Sequence, residues 1–174
     1  MTENMNPLEK YYRQPAIYIK LPSKGKYYTK EVYTPTETGE IPVLPMTAKD
    51  ELAFKTPDAM INGQATVDVI KSCVPNLKDP WKMVNYDTDV VLLAIRIATY
   101  GENMDIGFRV PVANDEQSHT LILPELLEQL GRIEIEDETT TSKGFKIQIQ
   151  PLDYKKLTKI QIARFEQQKM YGTI

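Results

Sequence analysis

An α+β fold is what this sequence of 174 residues predicts, and three observations predict it. The most apolar segment, Asn85 to Gly101, is long for a strand and carries the signals that begin and end a helix. From Met104 the apolar period changes from helical to two, so strands follow that helix. A last helical pattern starts at Pro151 and Asp153. The expected architecture is a central buried helix with surrounding short helices, small antiparallel β-hairpins and a C-terminal amphipathic helix. A single domain, 1–174, is expected, with an arm (1–15), N-terminal strands (16–45), a helical core (46–101), a β-hairpin region (102–150) and the C-terminal helix (151–174).

In chain order, the arm contains Asn6-Pro7 and Gln14-Pro15, whose prolines disfavour helix at the preceding residue, and Tyr11 and Tyr12 are the side chains that could pin it. Ala16 to Leu21 alternates as a strand, Pro22-Ser23-Lys24-Gly25 is a turn, and a second strand is expected over Tyr27 to Tyr33. Ile41 to Leu44, with Pro42 within it and Pro45 after it, reads as a short strand in an edge or terminal position. Thr47-Ala-Lys-Asp50 resembles a capping box and opens a helix to about Lys55. Thr56-Pro57-Asp58 repeats the start signal, and Gly63 ends that short piece. Thr66 to Cys73 brings Val67, Ile70 and Val74 to one face before Pro75 stops the helix. A connector holding Trp81 leads to the central helix.

In that central helix Asp87 or Thr88 is the expected N-cap, Asp89 adds negative charge at the favourable end, and Gly101 supplies the left-handed turn that closes it. Val90 to Tyr100 is apolar almost all round, broken only by Arg96 and Thr99, so the helix needs protein on several sides. It is too short to span a bilayer, which takes about 20 apolar residues. Each large side chain buried there is worth about 1.5–3 kcal/mol of gross driving force.

Beyond it, Met104, Ile106, Phe108, Val110 and Val112 share one side of a strand expected to be half buried. The turn Asn114 to Ser118 and the run Thr120 to Leu123 complete a hairpin, followed by a short helix from Pro124 to Leu130 that Gly131 closes. Ile133 and Ile135, then Phe145, Ile147 and Ile149, alternate across a Thr-rich loop from Asp137 to Gly144 and read as a second hairpin. The last helix runs to about Lys169. On a helical wheel it carries Tyr154, Leu157, Ile160, Ile162 and Phe165 in a broad apolar arc that also contains Gln161 and Arg164. Polar groups inside such an arc suit a helix that faces a partner.

Composition narrows the function classes. Lys and Arg number 21 against 24 Asp and Glu, for a net charge of −3, which argues against generic binding to nucleic acid or anionic membrane. The charge is uneven: the start is basic, Asp115 to Glu138 is acidic, and Lys143 to Lys169 is basic again, as in a protein with separate faces for separate partners. One cysteine, Cys73, excludes an internal disulfide framework and suits a reducing compartment. No apolar leader follows the initial methionine, so no signal peptide and a cytoplasmic origin are expected.

Chemistry is hard to find in the sequence. One Cys and one His cannot close a zinc site, so no metal and no cofactor is assigned. His119 reads as a loop histidine and Cys73 as a buried thiol. Ser23-Lys24-Gly25-Lys26 lacks the order of a phosphate loop, and Glu134 with Glu136 reads as the solvated side of a strand. The tyrosines among basic residues 10–33 could stack on bases, but no nucleic-acid motif accompanies them. No catalytic residue is assigned, and the chain is expected not to be an enzyme.

Five blocks occur in one order: Asn6-Pro-Leu-Glu-Lys-Tyr-Tyr-Arg-Gln-Pro-Ala-Ile-Tyr-Ile-Lys-Leu-Pro-Ser-Lys-Gly25, Met46-Thr-Ala-Lys-Asp-Glu-Leu-Ala-Phe-Lys-Thr-Pro-Asp-Ala-Met60, Ile70-Lys-Ser-Cys-Val-Pro75, Asp89 to Gly101, and Pro151-Leu-Asp-Tyr-Lys-Lys-Leu-Thr158. Together they resemble the T4-type phage baseplate hub assembly family, which includes hub assembly and distal-hub proteins of contractile-tailed myophages. The resemblance covers nearly the whole chain. It implies a non-enzymatic assembly factor or minor hub subunit that binds baseplate hub subunits and the tape-measure protein. The expected place is the host cytoplasm during assembly, with the virion baseplate as a second. Some relatives carry Cys-x-x-Cys pairs where this chain has its Met104 to Leu123 hairpin, so no metal site is carried over. Tyr11, Tyr12, Tyr154, Leu157, Gln161, Ile162, Arg164 and Phe165 are the expected partner-binding residues. Self-association is left open. A hydrolase acting on the host envelope or a small molecule is the alternative, to be favoured by a pocket gathering His119 or several carboxylates of shifted pKa.

Overall fold

Strands β1 (Ile17–Lys20) and β2 (Glu40–Val43) pair antiparallel, with Ile17 opposite Val43 and Ile19 opposite Ile41, so one side of the ladder is entirely branched and apolar. Ile19, Ile41 and Val43 are buried there, while Tyr18 and Lys20 face out. Pro42, which has no N–H to donate, sits in a two-stranded ladder where both strands are edges. These strands belong to a computed structural model that describes residues 12–57, 61–110, 115–133 and 136–172. The fold is α+β, with five α-helices and three small antiparallel two-stranded sheets among the described residues.

The capping box forms as its residues predict. The Thr47 hydroxyl accepts from the Asp50 N–H at 3.3 Å, the Asp50 carboxylate accepts from the Thr47 N–H at 2.8 Å, and α1 (Ala48–Phe54) follows. The repeat of that signal at Thr56-Pro57-Asp58 lies partly outside the described residues. Helix α2 (Gln64–Cys73) begins two residues earlier than expected, on Gly63. Gly63 has φ 77°, and a Cβ there would come within 3.2–3.3 Å of Thr158 and Trp81, so glycine is needed both for its backbone and for the close approach. Val67, Val69, Ile70 and Cys73 of α2 are fully buried.

Helix α3 (Asn85–Tyr100) is the buried axis that its composition predicts. Val90, Val91, Ala94 and Ile95 pack against α2 and against the apolar side of β1 and β2, and Gly101 closes the helix at φ 92°. Its start differs from expectation. Val84 is the N-cap and no side chain caps it; the Asn85 N–H donates instead to the Leu152 carbonyl at 3.2 Å, and Thr88 donates back to Val84 O at 3.1 Å. Asp87 is turned inward and does not cap.

The expected strand over Tyr27 to Tyr33 is a chain of tight turns. Lys24, Lys26 and Tyr28 N–H groups donate to the carbonyls of Leu21, Ser23 and Gly25 at 2.9–3.1 Å, and only Tyr33 makes a bridge, to Leu77. Pro22 opens these turns, and Lys24 and Gly25 sit at positive φ; a Cβ on Gly25 would meet the Tyr33 ring at 2.8 Å. Of the tyrosines that looked like strand residues, Tyr28 and Tyr33 turn inward with their rings edge to face 6.1 Å apart, and the Tyr27 hydroxyl instead binds Asp137.

Three parts leave this packed body. Strands β3 (Asn103–Val110) and β4 (Asp115–Ile122) form an eight-residue hairpin whose base is tied by Leu123 N–H to Glu102 O at 2.8 Å, ahead of α4 (Leu123–Gly131). Its period of two is as predicted, but the expected half burial is not found: among the described residues no element packs closely over Met104, Ile106 and Phe108, and all three stay exposed. The second hairpin pairs β5 (Glu138–Thr140) with β6 (Lys146–Gln148), so its first arm lies inside the expected Thr-rich loop, while Ile135 of the arm expected at Ile133 and Ile135 lies outside the described residues. The tight turn from Thr141 to Phe145, with Gly144 at φ 81°, sets that register. Finally α5 (Tyr154–Tyr171) starts on Asp153, whose carboxylate accepts from the Lys156 N–H at 2.7 Å.

Candidate interaction surfaces

The body holds its parts through polar anchors that the sequence does not announce. Asp87 accepts from the Ser23 N–H at 3.0 Å, from the Ser23 hydroxyl, and from the Tyr28 hydroxyl at 2.5 Å. Burial pushes its carboxyl above the ordinary aspartate value, and the three donors pull the other way. Tyr28 is raised in turn, first by burial and then by the Asp87 charge; its oxygen accepts from the Val84 N–H at 3.1 Å. One carboxylate thus fixes the 21–33 turns to the first turn of α3. These groups are packed inside the body, so they act as structure.

The N-terminal arm is fastened by Arg13. Its guanidinium donates to Pro45 O at 2.8 Å, to the Ser72 carbonyl and to Asp50 at 3.4 Å. Burial pushes Asp50 up, but the Thr47 N–H and hydroxyl, the Ser72 hydroxyl and the Arg13 charge outweigh it and hold this carboxyl below the ordinary value. Tyr12, one of the expected pins, is instead 57 % exposed, and Tyr11 lies outside the described residues. On the opposite side, Lys26 and the Tyr27 hydroxyl both bind Asp137 and so dock the base of the second hairpin.

The final helix divides into two halves. Tyr154 stacks on Trp81 with ring centres 5.7 Å apart, its N–H donates to Met83 O at 2.7 Å, Thr158 is buried against Gly63, and Leu157 and Ile162 are half buried. From Ala163 to Tyr171 every residue is exposed. The expected single apolar arc is therefore not a buried face: Ile160 and Ile162 point about 200° apart at about 100° per residue. Of the expected partner-binding residues, Tyr154, Leu157 and Ile162 serve partly to anchor the helix. Gln161, Arg164 and Phe165 share its solvent side, with Phe165 59 % exposed.

The hairpin face is the signal that sequence reasoning misjudged. The register puts Ile106 opposite His119 and Met104 opposite Leu121 on one side, with Phe108 opposite Gln117. His119 therefore sits on an exposed, largely apolar strand face and not in a turn. Phe145, Ile147 and Ile149 of the second hairpin are exposed as well.

A groove of about 840 Å³ runs between β1, the loop at 35–39 and α4, floored by Ile19, Leu21, Tyr33, Val90 and Leu127. It gathers neither His119 nor Cys73 nor Asp87. The Cys73 thiol is fully buried, and burial pushes it up to about 11. Among the described residues no group of three or more His, Cys, Asp or Glu is placed to hold a metal ion, and no helix is long and apolar enough to cross a membrane.

No curated protein and no solved structure matches the chain. The family model for the T4 bacteriophage base plate protein does match, over residues 14–171, a span that takes in the strand pair, the helical body, both hairpins and the whole of the last helix. With that match covering most of its length, the chain belongs to the T4 bacteriophage base plate protein family.

Proposed function

We propose that this chain is an assembly factor or minor subunit of the central hub of the phage baseplate, and that it works by binding other proteins without catalysis. Its family makes it a bacteriophage baseplate protein, which implies contact with other baseplate components. Hub subunits and the tape-measure protein are the proposed partners, met in the host cytoplasm during assembly, with the virion tail as the second place of the chain. The observation that carries the reading is the pair of apolar arms standing clear of a well-packed body. Phe165 on α5 and Ile106 and Phe108 on β3 remain open to solvent, while α2, α3 and the β1–β2 pair bury most of their large aliphatics, with Leu52 and Ile61 as exposed exceptions beside them. Apolar side chains grouped on an exposed strand face are a mark of a protein–protein contact.

Co-expression with hub and tape-measure proteins tests this. The chain is expected to co-purify with a hub subunit, and the doubly substituted chain Arg164→Glu, Phe165→Asp is expected to lose that complex while unfolding at the same temperature as the parent. Ile162 is a poorer choice because it is half buried. Retention of the complex by that variant and by Phe108→Asp removes both arms as the binding surface, and capture of a baseplate component outside the hub in place of hub proteins overturns the hub assignment.

A further inference from the structure

Asn62-Gly63 is the one place in the chain where glycine follows an asparagine; the other asparagines precede Met, Pro, Leu, Tyr or Asp. The pairing matters because an asparagine side-chain amide lies within reach of the next backbone nitrogen, and a residue without a Cβ leaves that nitrogen unshielded. Asn62 is exposed, so solvent reaches it. The Gln64 N–H, free of any intrahelical partner at the first turn of α2, donates to the Asn62 Oδ1 at 2.9 Å. This bond folds the amide back over Gly63, as in an Asx turn. It also places a donor on the oxygen where negative charge develops when a nucleophile adds to Cγ. Gly63 itself is buried: a Cβ there would lie 3.2 Å from Thr158 and 3.3 Å from Trp81. Trp81 in turn stacks on Tyr154, so the mount of α5 closes on this glycine.

We infer that Asn62 is a site of spontaneous deamidation, and that one of the two products loosens the mount of α5. The Gly63 nitrogen attacks the Asn62 Cγ and forms the N–Cγ bond of a succinimide. The Cγ–N bond of the side-chain amide breaks, and its NH2 leaves as ammonia with the proton that the Gly63 nitrogen gives up. Solvent water then opens the ring. Cleavage of the new N–Cγ bond leaves an ordinary aspartate at position 62. Cleavage of the original peptide bond leaves an isoaspartate, through whose side chain the backbone now runs. Nothing is oxidised or reduced: an amide and water become a carboxylate and ammonia. The ordinary aspartate adds negative charge just ahead of α2, where the helix dipole favours it, and keeps the backbone as it was. Isoaspartate inserts a methylene into the backbone immediately before Gly63, at a close-packed contact that has no room to absorb it. Neither step involves a partner protein, so the chemistry is independent of the hub reading.

Incubation of the pure full-length chain at neutral pH and physiological temperature, sampled over weeks, tests it. Trypsin cuts after Lys55 and Lys71, and the peptide between them holds Asn62 as its single asparagine. That peptide is expected to be lost progressively into two products of equal mass, each heavier by the exchange of NH2 for OH. Labelling by an isoaspartyl methyltransferase distinguishes them, and peptides with the other asparagines are expected to stay unchanged. Trp81 is the single tryptophan, so its emission reports the mount directly. The emission is expected to shift to the red in step with the isoaspartyl fraction, and the Asn62→Asp variant to keep the emission of the fresh parent. The Asn62→Gln variant, whose longer side chain closes a ring far more slowly, is expected to hold both its mass and its emission. An Asn62 that converts no faster in the folded chain than the other asparagines overturns the site, whether or not urea makes it react. Emission that drifts equally in the parent and in Asn62→Gln, or an isoaspartyl form with unchanged emission, overturns the effect on α5.

Discussion

Ile70 on α2 and Ile106 on β3 are the same side chain in two regions with opposite surroundings. Ile70 has no exposed surface and is packed between α3 and the strand pair, whereas Ile106 is 38 % exposed on a hairpin that no described element covers. Both lie on correctly periodic apolar faces. Periodicity thus tells which side of an element is apolar, and packing alone tells whether the chain itself buries that side. The body spends its apolar residues on folding; the arms keep theirs available for a contact.

The largest effect that sharpens this comparison comes from truncating the two isoleucines. Ile70→Ala removes buried methyl groups and leaves a cavity, which costs about 2–5 kcal/mol. Ile106→Ala is expected to stay within about 0.5 kcal/mol, as for exposed positions generally. Urea unfolding of both variants measures the difference. Equal losses would mean that the hairpin face is covered within the monomer, and the division into body and arms would fail.

Next in size is Asp87→Asn. The change keeps the shape but weakens an acceptor that serves the Ser23 N–H, the Ser23 hydroxyl and the Tyr28 hydroxyl. The loss is expected at about 2 kcal/mol, within the range for hydrogen bonds to a charged group. Amide exchange is expected to quicken at residues 23–28 and to be unchanged at the tip of either hairpin. Uniform quickening would show that arms and body open as one unit.

Much of the body was legible in the sequence because its signals are local. The Thr47 and Asp50 box, the apolar run of α3, Gly101, Asp153 and the alternation from Met104 each act within a few residues, and each element formed at its expected place. What was not legible is settled by distant partners. Asp87 looked like a cap because it stands in the first turn; Ser23 and Tyr28, far back in the chain, turn it inward. Tyr28 and Tyr33 looked like strand residues until the turns at Lys24 and Gly25 aimed their rings at the core. Of the candidate surface, Gln161, Arg164 and Phe165 stayed exposed as a partner-facing helix requires, and Tyr154 did not, because Trp81 is there to stack on it. No local pattern distinguishes these cases.

The smallest effect is the pH dependence of the two anchoring carboxylates, which carry opposite signs. Asp50 is held below the ordinary value of 3.8, so the folded chain gives up its proton more readily than the unfolded one. Its contribution is present above that value and is lost as pH falls through the folded pKa. Asp87 is raised above 3.8, so the folded chain holds its proton more firmly. Its contribution is complete at acid pH and is lost as pH rises through the folded pKa. In urea titrations carried from neutral pH to below the ordinary aspartate value, the deficit of Asp50→Asn against the parent is therefore expected to shrink on acidification, and that of Asp87→Asn to grow. Deficits that move in the same direction would mean that the Arg13 clasp and the Ser23–Tyr28 anchor are not separate devices, and that the arm at Arg13 and the turns at 21–33 are held by one coupled network.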